Sequence, residues 1–366
     1  MAVDTVNYDP SLEERLRHPI QHLYKASLLP VTGGSHALAV DGDLSVSFSL
    51  GWSPYAQASL TIKKPRDAAI LAALDGRLRS YIRLELGYAF DGATTDIHEA
   101  VKIRLEDVTE KNGLMRLTLQ GEEMEAQDAD WNEGWNGLVP RTGIREFIEY
   151  VLEQSVTGSI TLTGTGTGVR PDLVAEVNPS TGSDLWSIAS GVADSAGLKL
   201  WHDGGTTWKL LPRYAIGSSY GTMLRTGKGG TITDVERRLS RTDWYNAVTL
   251  VFPDSLDGSG RPIVGSAAIL TGPYSLNAAG KKAYTESIPG WANVASANAR
   301  AAALLSTLSQ RGSSYTIQAA AAYWIRPGMT VPVKTGRGPY EKQLVESVTF
   351  TPLNGLMTLH TIKNED

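Results

Sequence analysis

One stretch of this 366-residue chain gathers side chains suited to acid–base chemistry. Glu122, Glu123, Glu125, Asp128 and Asp130 stand beside Trp131 and Trp135. Two carboxylates can protonate a glycosidic oxygen and activate a nucleophile, and indole rings stack on sugars, so the stretch has the ingredients of a carbohydrate cleft. The same residues also make an acidic connector whose tryptophans anchor in a core. Only geometry would single out a working pair, and the connector is the plainer reading.

The remaining candidates are weaker. Asp254, Asp257 and Gly258 hint at a calcium loop, but the full D-x-[DN]-x-[DN]-G spacing is missing. His18 and His22, four apart, would share a helix face and could hold a metal, yet Pro19 stands where an H-E-x-x-H motif needs its glutamate. The other histidines (His36, His98, His202 and His360) are scattered. Gly217-Ser218-Ser219-Tyr220-Gly221 matches G-x-S-x-G in letters only, because no helical stripe follows it as a nucleophile elbow requires. Gly164 to Gly168 lacks the Gly-Lys-Ser/Thr of a phosphate cradle and reads as a hairpin tip. Arg237, Arg238 and Arg241 suit an acidic partner or DNA in transit, or simply a solvated loop. The reading assigns no catalytic, cofactor-binding or metal residue and calls for no cofactor.

Composition narrows the function class. There is no cysteine, hence no disulfide framework and no Cys-based metal site. A net charge of −5 opposes a general nucleic-acid binder, which needs a basic footprint. No apolar run approaches the ~20 residues of a membrane span. The charged N-terminus lacks the apolar core of a secretory signal, so synthesis in the cytosol is expected.

The elements that would position these residues are strands. Near the end, Val345-Glu346-Ser347-Val348-Thr349 leads to a turn at Asn354-Gly355 and a second run from Leu356 to Ile362. Asn-Gly between two such runs is a strong hairpin signal, because both residues tolerate positive φ. The pattern occurs earlier as Leu105-Glu106-Asp107-Val108-Thr109, then Asn112-Gly113-Leu114-Met115. Two matched blocks in one order around one turn point to an internal duplication: two copies of a β domain. Alternation at Leu44, Val46, Phe48 and Leu50, and at Ile82, Leu84, Leu86 and Tyr88, supplies further strands of the first copy.

Residues 1–38 read as an N-terminal arm, with a helix-like spacing over Leu12 to Tyr24 interrupted by Pro19. Residues 39–135 form the first β domain, with a short helix between Arg66 and Leu78. Residues 136–230 form a small α+β domain: a helix with Ile144, Phe147, Ile148, Val151 and Leu152 on one stripe, a second helix capped by Ser183 and stopped by Gly197, and a hairpin at Asp203-Gly204-Gly205. Residues 231–366 form the second β domain, with an insertion at about 253–292 and a helix from Ala295 to Gln310. Trp52, Trp131, Trp135, Trp291 and Trp324 exceed what these cores require, and some are expected to anchor interfaces.

Four stretches resemble the hub proteins of bacteriophage tails, the family of baseplate hubs, late-control-type proteins and siphophage tail hubs. They are Asp184-Leu185-Trp186 through Gly197 and on to Pro212; Trp244-Tyr245-Asn246-Ala247-Val248; the helix from Asn298 to Leu308 followed by Pro327-Gly328-Met329-Thr330-Val331; and Gly51-Trp52-Ser53-Pro54-Tyr55, which is similar to minor tail proteins of actinobacterial phages. The resemblance implies an α+β, mainly β fold: two similar tube-like antiparallel β-barrel domains, a small α+β domain between them and an insertion in the second barrel. It implies a non-enzymatic virion component at the tail tip. Three chains would form a ring with six similar barrels, adapting a sixfold tail tube to a threefold spike or fibre. The implied partners are its own copies, a distal tail protein, a tape measure protein and spike, fibre or receptor-binding proteins, with DNA only in transit. The expected setting is a long, non-contractile tail; a contractile-tail or secretion-related hub would keep the same fold. The alternative is a carbohydrate-binding or carbohydrate-active multi-domain β protein built on the Glu122–Trp135 stretch.

Overall fold

The computed structural model describes residues 20–90, 94–136, 138–155, 160–164, 174, 177, 179, 181–205, 207–212, 217, 222–288, 292–336 and 338–363. The chain is mainly β with interspersed helices. It opens with strands β1 (Gln21–Leu29), β2 (His36–Leu38), β3 (Val40–Ser49) and β4 (Ala56–Lys63), helix α1 (Ala68–Ala73), and strands β5 (Tyr81–Phe90), β6 (Thr94–Lys111) and β7 (Leu114–Gln120). The middle holds α2 (Glu123–Gln127), α3 (Ile144–Glu153), β8 (Leu162–Gly164), α4 (Leu185–Ser195), β9 (Leu198–His202) and β10 (Trp208–Pro212). The last part carries β11 (Leu224–Arg225), β12 (Ile232–Leu239), β13 (Ala247–Leu256), β14 (Pro262–Ala268), α5 (Leu276–Ala279), β15 (Ala283–Ser287), α6 (Val294–Gln310), β16 (Ser313–Ala320), β17 (Thr330–Lys334), β18 (Glu341–Thr351) and β19 (Leu356–Lys363).

The duplicated blocks are two hairpins of matching register. β6 and β7 turn at Asn112 and Gly113, both at positive φ (53° and 76°), as a two-residue hairpin demands. β18 and β19 turn through a 3-10 segment, Pro352–Asn354, closed by left-handed Gly355. Each hairpin carries one bulge, and the bulges coincide: pairing slips between Leu105 and Asp107 in β6, and between Val345 and Ser347 in β18. The extra residue is Glu106 in one copy and Glu346 in the other. A bulge moves every later side chain to the opposite face, so its equal placement preserves the inward set of both copies.

The match extends to five strands. β4 pairs β7 as β16 pairs β19, and β5 pairs β6 as β17 pairs β18. The Leu105 amide donates to the Ser80 carbonyl, and the equivalent Val345 amide to the Met329 carbonyl, both at 2.9 Å. β3 pairs β4 as β12 pairs β16. In strand order the copies run β3-β4-β7-β6-β5 and β12-β16-β19-β18-β17, and β3 joins them by pairing with β18. The result is one 13-stranded sheet, with β1 and β2 added beyond β5 and β11 beside β17. No closed barrel is found among the described residues.

Alternation explains the core. Ala56, Ala58, Leu60 and Ile62 of β4 point inward while their neighbours face out. Leu44, Val46, Phe48, Leu117, Ile317, Val348, Phe350 and Leu359 complete a single buried cluster that spans both copies. At the seam, the Phe48 ring sits 6.3 Å from Phe350, and the Arg326 guanidinium lies 4.2 Å above Phe48. A second core gathers under α3, α4 and the three-stranded sheet β8-β10-β9. A third lies between α6 and the sheet β14-β13-β15.

Several expectations need correction. Gln21 to Tyr24 is strand, not helix: β1 pairs β5 over its whole length, and tertiary pairing overrides the apolar spacing. Arg237 and Arg238, for which a solvated loop is the plainer expectation, lie on strand β12. The cap position of α3 is Gly143, which makes no side-chain bond, and α4 is capped by Asp184, whose carboxylate accepts from the Ser187 amide at 2.7 Å, rather than by Ser183.

Candidate functional site

The acidic stretch folds inward. Glu123 is fully buried on α2, and its Oε1 accepts from the Tyr55 amide (3.2 Å) and the His202 amide (2.9 Å). Burial pushes its pKa upward. It ties β4, through Tyr55, to β9. Glu125 is also buried and accepts from both Nε and Nη2 of Arg79, from the Tyr81 hydroxyl at 3.3 Å, and faces Arg104 at 3.8 Å. A shallow pocket beside it is lined by Arg77, Arg79, Arg104, Glu125 and Asp128. Its cations already face carboxylates: Arg77 faces Asp75, Arg79 Glu125, and Arg104 both Glu125 and Asp128.

The tryptophans do not form a sugar platform. Trp131 is 1% exposed, donates to Asn136 at 3.2 Å and stands edge-on to Trp135 at 5.3 Å. Its backbone amide bonds Ser183, and the Leu185 amide bonds Ala129. The stretch therefore fastens the β7 end to α4, and Glu123, Glu125 and Trp131 of the carbohydrate alternative are withdrawn from solvent, while Asp128 and Asp130 stay exposed. Trp324 is likewise core, 1% exposed, whereas Trp52 is 51% exposed. Trp291 lies outside the described residues.

The other candidates are also placed. Asp257 accepts from the Ser259 amide and hydroxyl and the Arg261 amide, which closes its own turn and holds its pKa low. His22 sits on β1, with its Nδ1 3.0 Å from the Tyr323 hydroxyl. His18, Ser218 to Gly221 and Thr165 to Gly168 lie outside the described residues. No cluster of three metal-ligating side chains occurs among the described residues. No helix of the described chain is long and apolar enough to cross a membrane.

What the structure does present is strand edge. Arg237 and Arg238 lie on β12, which ends the order of the large sheet. Its exposed residues include Leu239, 70% exposed. Sequence reading missed this strand because its alternation is polar on both faces. Charge on an edge strand is itself a signal, since edges are protected that way.

The described residues thus form a duplicated β unit whose two copies are joined edge to edge. Its fold is that of bacteriophage tail proteins. The chain is similar to a tail protein from Neisseria meningitidis MC58, with a TM-score of 0.62 at 13% identity over 93% of this chain and 97% of the other. It is similar to the 43 kDa tail protein of prophage MuSo2 from Shewanella oneidensis, with a TM-score of 0.58 at 12% identity over 92% and 98%. A prophage tail protein from Listeria monocytogenes EGD-e gives 0.56 at 9% identity over 93% and 95%. Neither protein-family models nor curated protein sequences give a match.

Proposed function

We propose that this chain is a structural hub at the tail tip or baseplate of a bacteriophage virion, without enzymatic activity of its own. It acts as a homotrimer. Its two β units per chain become six similar tube-like barrels in a pseudo-sixfold ring. The ring closes the tail tube, connects it to spike, fibre or receptor-binding proteins, and meets the distal tail and tape measure proteins on its tube side. It opens for genome ejection, and DNA passes through it only in transit.

The observation that carries this reading is the duplication seen as structure. Five strands of one copy repeat in five of the other, with the hairpin bulges at matching positions, and the copies already join by β3 and β18 inside one chain. A sugar-binding protein has no need of that arrangement, whereas a ring adapting sixfold to threefold symmetry does. Fold likeness to tail proteins along nearly the whole chain supports it.

The test is the mass of the purified full chain by light scattering, with electron-microscope class averages of the same sample. A threefold ring with six similar densities is expected at high protein concentration. Release of reducing sugar from host wall polysaccharide, abolished by Glu123→Gln, would overturn the non-enzymatic reading.

A further inference from the structure

The joint inside the chain has a counterpart that the single chain leaves unmade. After its bulge, β18 pairs β3 in the register Ser347↔Ser49, Val348↔Phe48, Thr349↔Ser47 and Phe350↔Val46. The equivalent stretch of the first copy is Asp107 to Glu110 of β6. There, β5 pairs β6 only from Phe90↔Thr94 to Tyr81↔Arg104, so Asp107 to Glu110 have no strand on that side among the described residues. The equivalent of β3 is β12, whose outer edge is likewise without a strand among the described residues.

We infer that β12 of one protomer pairs antiparallel with Asp107–Glu110 of a second copy of this chain, repeating between chains the β3–β18 joint within one. The inference rests on the ring reading above and specifies its contact. The register follows from the two hairpins and the neighbouring strands. Val46 stands opposite Ala58, and Arg237 opposite Tyr315; Ala58 and Tyr315 in turn face the matched positions Leu119 and Thr361. Val46 thus corresponds to Arg237. The new pairs are Glu110↔Arg237, Thr109↔Arg238, Val108↔Leu239 and Asp107↔Ser240.

The side chains fit this register. Leu239 takes the place of Phe48, which is fully buried at the inner joint, and it meets half-buried Val108. Arg237 faces Glu110, which within its own chain accepts from Lys64 at 2.7 Å. Arg238 stands opposite Thr109 and diagonal to Asp107, within reach of a long side chain. Beside this edge runs an open groove lined by Leu71, Leu74, Gly76, Arg77 and Val108. Counting back from the matched Ser80 and Met329, Arg77 corresponds to Arg326, the cation over Phe48. Two different edges meet, so the contact is heterologous: it propagates head to tail and closes where the rotation allows.

The test exploits the absence of native cysteine. Thr109 and Arg238 are exposed, so Thr109→Cys and Arg238→Cys leave the fold intact, which circular dichroism and Tm verify. The two single variants of the full chain are mixed at high concentration, oxidised and run without reductant. The inferred register gives at least about tenfold more linked dimer than Thr109→Cys mixed with Asp234→Cys, whose positions the register keeps too far apart to bridge. A chain carrying both Thr109→Cys and Arg238→Cys gives linked trimer as its largest discrete product. No linkage, or equal yield from both mixtures, overturns the inferred joint. If rings are present in the microscope without linkage, the joint fails while the hub reading stands. If linkage is on register but trimer is not the limit, the joint stands and the trimeric hub fails.

Discussion

Replacing Glu123 by Gln should flatten the dependence of stability on pH. Glu123 lies in the core with its pKa raised by burial above the ordinary value of 4.5. Below that value, folded and unfolded chains both hold the proton and the contribution to stability is fully present. As pH rises past it, the unfolded chain releases the proton first, and stability falls until the folded pKa is passed. The slope in that window is at most about 1.4 kcal/mol per pH unit for one group. Glutamine cannot titrate, yet it keeps an oxygen for the Tyr55 and His202 amides. Glu123 Oε2 has no hydrogen-bond partner, so an amide NH2 placed there adds a constant penalty of roughly 1–3 kcal/mol. Urea unfolding of both proteins, followed by tryptophan fluorescence from pH about 4.5 upward, measures the difference. Wild type should be the more stable at the acid end, with its advantage shrinking as pH rises. A difference that stays constant across the range would refute the account of Glu123 as a buried, proton-holding strut.

Two further substitutions probe the seam and the tryptophans. Phe48→Ala removes the ring between Tyr55, Phe350 and Arg326 and should cost about 3–5 kcal/mol by thermal or urea unfolding; a loss under about 1 kcal/mol would show that the seam is not a packed core. Trp324→Ala should destabilise the single chain by a similar amount, whereas Trp52→Ala should stay within about 0.5 kcal/mol, so that any assembly defect of the latter reports an interface; unfolding midpoints paired with light scattering separate the cases.

The sequence made legible whatever alternates or repeats. The L-E-D-V-T and V-E-S-V-T blocks located both hairpins because turn chemistry and register are local, and the α3 stripe of Ile144, Phe147, Ile148, Val151 and Leu152 is buried as its spacing predicts. β1 was hidden because its partner β5 is remote in sequence, and its own pattern mimics a helix. β12 was hidden because an edge strand carrying Asp234, Glu236, Arg237 and Arg238 has the composition of a loop. The acidic stretch misled for a third reason. Composition reports that carboxylates and indoles are present, but not that Glu123 and Trp131 turn inward while Glu125 takes Arg79.

The segment between β12 and β16 leaves and re-enters the large sheet at one point. Leu239 pairs with Ser313, and the Ser240 amide reaches the Gly312 carbonyl at 3.0 Å. Residues between these ends carry their own sheet, helix and core, so the two strand ends that the large sheet needs are already held a hydrogen bond apart. In evolutionary terms the site behaves as a socket. What is plugged in there can grow, shrink or be exchanged with little entropic cost to closing the sheet, which gives a constant scaffold a place to vary what it displays.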